Sequence, residues 1–162
     1  MQKLSLDALA RELLERAAGA AGGRAAQTVV GGHEKVLRQT VIAMVSGTAM
    51  AEHANPGEAS VYVVRGRVVL AAGDQSWEGR DGDLIMVPDA SHSLRAVQDS
   101  AMAEHASPGE ASVYVIRGRV VLAAGDQSWE GRDGDLIMVP DASHSLQAVR
   151  DSVVLLTVAK GR

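Results

Sequence analysis

Apolar residues recur at helical spacing once along the chain, near its start. Leu4, Leu9, Leu13 and Leu14, with Ala8, Ala10 and Ala17 between them, predict a helix over residues 4–18. Ser5 suits its N-cap and Asp7 its first turn. Gly19, Gly22 and Gly23 end it. Its polar face mixes both charges, which fits a helix packed on the protein or on a partner rather than one lying on a membrane. Beyond it the period shortens. Residues 36–46 form a long, centrally β-branched run, and short apolar runs follow at 49–54, 60–65, 67–72, 76–78, 83–87 and 92–97. Turn residues separate them: Asn55-Pro56-Gly57, Gly66, Gly73-Asp74, Asp81-Gly82 and Asp89-Ala90-Ser91. The pattern then repeats, and residues 153–160 supply a last strand. Many short strands with frequent turns predict a sandwich or a closed barrel.

The repetition is nearly literal. Ala49 to Ser100 recurs as Ala101 to Ser152 at 48 of 52 positions, the differences being Asn55 for Ser107, Val64 for Ile116, Arg95 for Gln147 and Gln98 for Arg150. The match stops abruptly at both seams. Natural duplications drift as each copy meets its own environment, so near-identity with sharp seams favours a duplication made in the laboratory over a very recent natural one. Removing one copy leaves a chain with helix, strands and final strand in sequence. The expected organisation is a helix and linker over 1–26, a first unit over 27–100 and a second over 101–162.

Composition narrows the chemistry. Sixteen Lys and Arg stand against 20 Asp and Glu, a net charge of −4, and the basic residues are scattered among turns. That is no footprint for nucleic acid. There is no cysteine, which excludes disulfides and thiolate metal sites. No stretch nears the roughly 18 apolar residues of a membrane span. Asp7, Arg11, Glu12 and Glu15 break up any signal-peptide pattern. A soluble, cytoplasmic protein is the expectation. With no Phe, two Trp and two Tyr, the core must come from Val, Leu, Ile, Ala and Met.

Two motifs carry a resemblance. Gly47 precedes His53-Ala54-Asn55-Pro56-Gly57-Glu58, and Gly66 ends the next strand. Gly82-Asp83-Leu84-Ile85-Met86-Val87-Pro88 is followed by His92. The chain resembles the cupins, a superfamily of small jelly-roll barrels, over roughly residues 36–160. The resemblance implies an all-β fold of cupin-type jelly-roll barrel or barrels with one N-terminal α-helix. It also implies a divalent-metal site built on two His and a Glu from the first motif and a His from the second. His53 matches the first ligand and His92 the last. Asn55 stands where the second His belongs, and Ala59 stands at the Glu position with Glu58 one residue early. In the second copy His105 and His144 match, with Ser107 and Ala111 at the other two places. Metal candidates are therefore His53, Asn55, His92, His105 and His144, for Zn, Cu, Ni, Fe or Mn at low occupancy.

Strand alternation supports the first pair independently. Ala51, His53 and Asn55 share one face and His92, Leu94 and Ala96 another, and in a jelly roll both faces can point inward. Glu58 is one register step away, on the opposite face. Against this stands the plain alternative that a barrel His is a hydrogen-bonded core residue. His33 follows Gly31-Gly32 in a loop, Glu52 and Glu104 face away from their neighbouring His, and Trp77 and Trp129 suit a barrel edge or an interface better than a stacked ligand. No phosphate loop or nucleophile dyad is visible, so no catalytic residue is assigned. A metal-binding cupin, a metal-free cupin that binds or senses a small ligand, and an engineered duplication made to study barrel folding or assembly are the competing readings.

One copy supplies about six strands, and a barrel of this type needs about eight. The copies could form tandem barrels, each borrowing a flanking strand, which is the slightly favoured arrangement. Alternatively residues 101–106 take the place of the last strand of the first barrel and the structure continues as one elongated barrel. Strand exchange between chains is the third possibility. Exposed strand edges predict a homo-oligomer, most simply a dimer.

Overall fold

Turn residues between the apolar runs cut the chain into short strands. The computed structural model describes residues 3–33, 36–55, 57–106, 111–140 and 142–158. In chain order the elements are β1 (Lys3–Ser5), α1 (Leu6–Gly19), β2 (Arg24–Val30), β3 (Arg38–Met44), β4 (Ala49–His53), β5 (Ala59–Arg65), β6 (Arg67–Ala72) and β7 (Gln75–Arg80). They continue with β8 (Leu84–Val87), β9 (His92–Ala96), β10 (Ser100–Ala106), β11 (Ala111–Ala124), β12 (Gln127–Arg132), β13 (Asp135–Met138) and β14 (Ser145–Val158). Among the described residues the fold is mostly β with a single N-terminal helix.

Helix α1 starts just after Ser5, at the capping position, and buries Leu6, Leu9, Ala10, Leu13 and Ala17. Leu4, counted above as helical, lies instead in β1, which pairs with β13. Among the described residues no helix is long and apolar enough to cross a membrane.

The chain divides into two units, one of Ala8–Ser107 and one of Met1–Asp7 with Pro108–Arg162. The first unit is a two-sheet jelly roll. One sheet runs β2-β3-β10-β5-β8 and the other β4-β9-β6-β7. Inward residues of both sheets make one core: Ile42 and Met44 from β3, Val61 and Val63 from β5, Val68 and Leu70 from β6, Ile85 and Val87 from β8, Leu94 and Ala96 from β9, and Met102 from β10.

Strand β10 is the opening of the second copy. It lies antiparallel between β3 and β5, with Met102 opposite both Ile42 and Val63. The arrangement in which the second copy keeps residues 101–106 for itself is thus not adopted. Without a strand between β3 and β5, backbone donors and acceptors on both sides would be left unpaired and the core opened. The segment directly after Ser100 reaches that slot with no intervening loop. The expected seam at 100/101 accordingly runs through β10.

The second unit holds what remains of the second copy. Among the described residues it is a single five-stranded sheet, β1-β13-β11-β12 with β14 on the other side of β11. Its pairings repeat those of the first copy: Val154 faces Val115 as Met102 faces Val63, and Ala148 faces Val120 as Ala96 faces Val68. Val113, Val115, Val120, Leu122 and Ile137 form its core, with Trp129, Val139 and Val154 packed against it. The cost of losing the opening strands shows at matched positions. Leu94 is 4% exposed in the first unit, whereas Leu146 is 42% exposed in the second.

Candidate metal centre

The first unit brings His53 and His92 together. His53 ends β4 and His92 begins β9, and the two are directly opposite in the antiparallel β4/β9 pair. Directly opposed residues share a face, so both rings turn the same way. Their centroids are 4.4 Å apart at an interplanar angle of 57°. His92 is buried and His53 half-buried.

Each ring is oriented by its own chain. His53 Nδ1 lies 2.9 Å from the Ala51 carbonyl oxygen, and His92 Nδ1 lies 3.2 Å from that of Ala90. A carbonyl only accepts, so Nδ1 of each neutral ring carries the proton. Nε2 is then left with its lone pair, the form in which imidazole ligates a metal. The pair lines a cavity of about 10 Å³ with Ile42, Met50, Val61, Leu70, Leu94 and Met102. That is about the room one water needs. Met102 is a contribution from the second copy that strand alternation within the first copy could not reveal.

The other expected ligands are placed elsewhere. Asn55 closes the turn after β4: its Nδ2 donates to the Pro88 carbonyl at 2.9 Å, and its Oδ1 accepts from the Gly57 N–H at 3.2 Å. Glu58 is exposed while Ala59 is buried, so the carboxylate lies outside the barrel. Among the described residues no group of three His, Cys, Asp or Glu stands close enough to hold a metal ion. The donor set available is two imidazoles, which fits a weak site and falls short of the three or four ligands of a robust one.

The residues of the second pair fall in different units. His105 lies in β10 of the first unit, its backbone opposite Gln39 and Ser60, and its side chain lies outside what the structure describes. His144 is in the second unit, exposed, with Nδ1 2.9 Å from the Ala142 carbonyl. Ser107 lies outside the described residues, and Ala111 opens β11. His33 is exposed in the turn after β2. Glu52 is exposed, and the side chain of Glu104 lies outside what the structure describes. Trp77 is partly exposed on β7 opposite Leu70, and Trp129 lies opposite Leu122.

Charge pairs recur in both copies away from the two imidazoles. The Arg67 guanidinium, with Nε 2.9 Å from Glu78 Oε1, holds the Glu78 carboxyl below its usual range. Arg119 does the same for Glu130 at 2.7 Å. The Gly118 N–H, donating to Asp133 Oδ1 at 2.7 Å, lowers Asp133 likewise. All three are solvated surface groups that pin strands and turns, with no access to a buried reaction centre.

No family model and no curated protein matches the sequence. Solved structures do match. A cupin 2 conserved barrel domain protein from Leptotrichia buccalis superposes with a TM-score of 0.73 over 85% of this chain and 89% of its own, at 11% identity. The salicylate 1,2-dioxygenase of Pseudoaminobacter salicylatoxidans, in complex with gentisate, superposes with a TM-score of 0.53 at 19% identity. That match covers 61% of this chain and 32% of the dioxygenase. The opposed sheets of the first unit, the half-barrel sheet of the second and these likenesses together give this chain the fold of the cupin barrel.

Proposed function

We propose that the first unit is a weak divalent-metal-binding module, acting in the cytoplasm, with His53 and His92 as its protein ligands and water completing the shell. The observation that carries this reading is the 4.4 Å imidazole pair with both Nδ1 atoms tied to carbonyl oxygens. Zn, Cu, Ni, Fe and Mn all accept imidazole nitrogen. A bound metal would supply Lewis acidity to a small molecule entering beside it. Apart from the two imidazoles the residues lining the cavity are apolar, and binding rather than turnover is the proposed activity. The near-identity of the two copies supports a duplication made in the laboratory to examine barrel closure and assembly.

A second reading is a metal-free barrel in which the two imidazoles hold a water or a small polar ligand. The count of two donors favours it. Calorimetric titration with Co²⁺, Ni²⁺ and Zn²⁺ separates the two. Metal binding predicts a single site, weakened about tenfold or more by His53→Ala or His92→Ala and untouched by His144→Ala. No heat and no shift in melting temperature with any of these metals would leave the metal-free reading in place.

A further inference from the structure

Strand β14 has two parts, 145–149 and 152–158, and its register against β11 shifts between them. Ser152 Oγ accepts the Arg119 N–H at 2.9 Å at this joint, as Ser100 Oγ accepts that of Arg67 between β9 and β10. The two parts of β14 therefore stand to each other as β9 and β10 do. In the first unit one continuous segment covers both: β3 pairs with β10 and β4 with β9. The turn between β3 and β4 is tied to the bend at 97–99. The Ser46 N–H donates to Asp99 Oδ1 at 2.8 Å, and Ser46 Oγ donates to the Val97 carbonyl at 3.0 Å. The Gly47 N–H donates to the Ala96 carbonyl, and the Ala96 N–H to the Thr48 carbonyl, both at 2.9 Å.

The second unit keeps the counterparts of these groups in Ala148, Val149 and Asp151. Among the described residues no strand pairs with that edge of β14. Matched positions show what is uncovered. Ala96 and Ala101 are fully buried, whereas Ala148 is exposed and Val153 is 55% exposed. An open groove of about 920 Å³ runs along the joint, lined in part by Arg150, Asp151, Ser152 and Val153. The chain carries residues 38–48 once, and they lie in the first unit with Ile42 and Met44 in its core. A whole second copy would have to give up that core to fill the groove, whereas a free segment would give up nothing. We propose that this face of the second unit binds a strand–turn–strand segment of another polypeptide, built like residues 38–53. Such a segment has two extended stretches with alternating apolar residues, joined by a short turn containing Ser-Gly. Main-chain pairing along both parts of β14 supplies the attraction, and the joint selects the turn.

Fluorescence anisotropy of a dye-labelled synthetic peptide of residues 36–54, titrated with the full chain, tests this. Saturable one-to-one binding is expected. Ile42→Asp in the peptide puts a carboxylate where Ile42 would meet Val154, the counterpart of Met102, and should weaken binding about tenfold or more without touching the fold of the chain. Leu146→Lys in the chain should weaken it similarly, because Leu146 matches Leu94, which lies opposite Met50. Met86→Lys in the first unit should leave binding unchanged. Hydrogen exchange of amides 145–156 should slow on adding peptide while that of 92–106 stays as it was. No binding overturns the proposal, and so does binding indifferent to both Ile42→Asp and Leu146→Lys. Changes confined to 92–106 would mean that the peptide exchanges with β3 and β4 of the first unit, and overturn it as well. Amides 145–156 protected before any peptide is added, and losing that protection on dilution, would make a second copy the occupant and overturn it too. These outcomes are independent of whether His53 and His92 bind metal.

Discussion

At the scale of single residues, the two copies are best compared through Gly66 and Gly118. Gly66 lies between β5 and β6 and Gly118 within β11, with φ of +99° and +109°. A Cβ on Gly66 would strike the Asp99 carbonyl oxygen and Ser100 Oγ, and one on Gly118 would strike Ser152 Oγ and the Asp151 carbonyl. The crowding comes from a serine that bridges the turn. Ser100 Oγ accepts from the Arg67 N–H at 2.9 Å, and Ser152 Oγ from the Arg119 N–H at 2.9 Å. Gly73, also at positive φ (+58°), has open space where a Cβ would stand. Gly66→Ala should therefore lose about 2 kcal/mol or more, combining backbone strain with a clash against main chain. Gly73→Ala should lose only the strain, about 1 kcal/mol. Urea denaturation of both variants measures the difference, and equal losses would show that the serine bridge yields without cost.

At the scale of elements, one short sequence performs two tasks. Ala-Met-Ala-Glu-His-Ala occurs at 49–54 and at 101–106. Its first occurrence makes β4, at the rim of the four-stranded sheet, largely exposed. Its second makes β10, central in the five-stranded sheet. Met50 is only partly buried, whereas Met102 is fully buried in the core. Context alone separates them, so the pair measures position at constant local propensity. Met102→Ala should cost about 2–4 kcal/mol and Met50→Ala about 1, by circular dichroism against denaturant. Equal costs would mean that β10 does not hold the central slot in solution. The same ambiguity limits what the sequence conveys. Turn residues mark most strand ends of the first copy well, because glycine and proline punctuate whatever the tertiary context. The run 24–30 escapes notice because Ala25, Ala26 and Gln27 give neither β-branching nor alternation, and β2 exists by pairing with β3. The partnership of His53 and His92 is legible as shared strand faces. The placement of His105 and His144 in different units is not, since it follows from which slot residues 101–106 enter.

At the scale of the whole molecule, two segments are candidates for one place. Residues 100–106 fill the slot between β3 and β5, and residues 152–158 make the same register against β11. The second segment, Ser-Val-Val-Leu-Leu-Thr-Val, is the more β-branched and apolar of the two, with no charged residue where the first has Glu104. It is nevertheless excluded from the slot, because β10 follows β9 after only the bend at 97–99 while residues 152–158 arrive only after the rest of the second copy, and the nearer segment closes the smaller loop. Deleting residues 101–152 removes the competitor and joins Ser100 to Val153. The closing strand should then enter with Val153 opposite Ala43 and Val154 opposite Ile42, the places Ala101 and Met102 now hold. The half-barrel and its open β14 edge disappear in the same step. The shortened chain should thus unfold in a single cooperative transition and melt no lower than the full chain. The His53–His92 pair, both of whose strands lie outside the deletion, should keep whatever metal affinity the full chain has. A shortened chain that stays unfolded at every concentration would show that residues 153–158 cannot close the barrel. The register shared by the two copies would then reflect pairing with β11 and β5 alone.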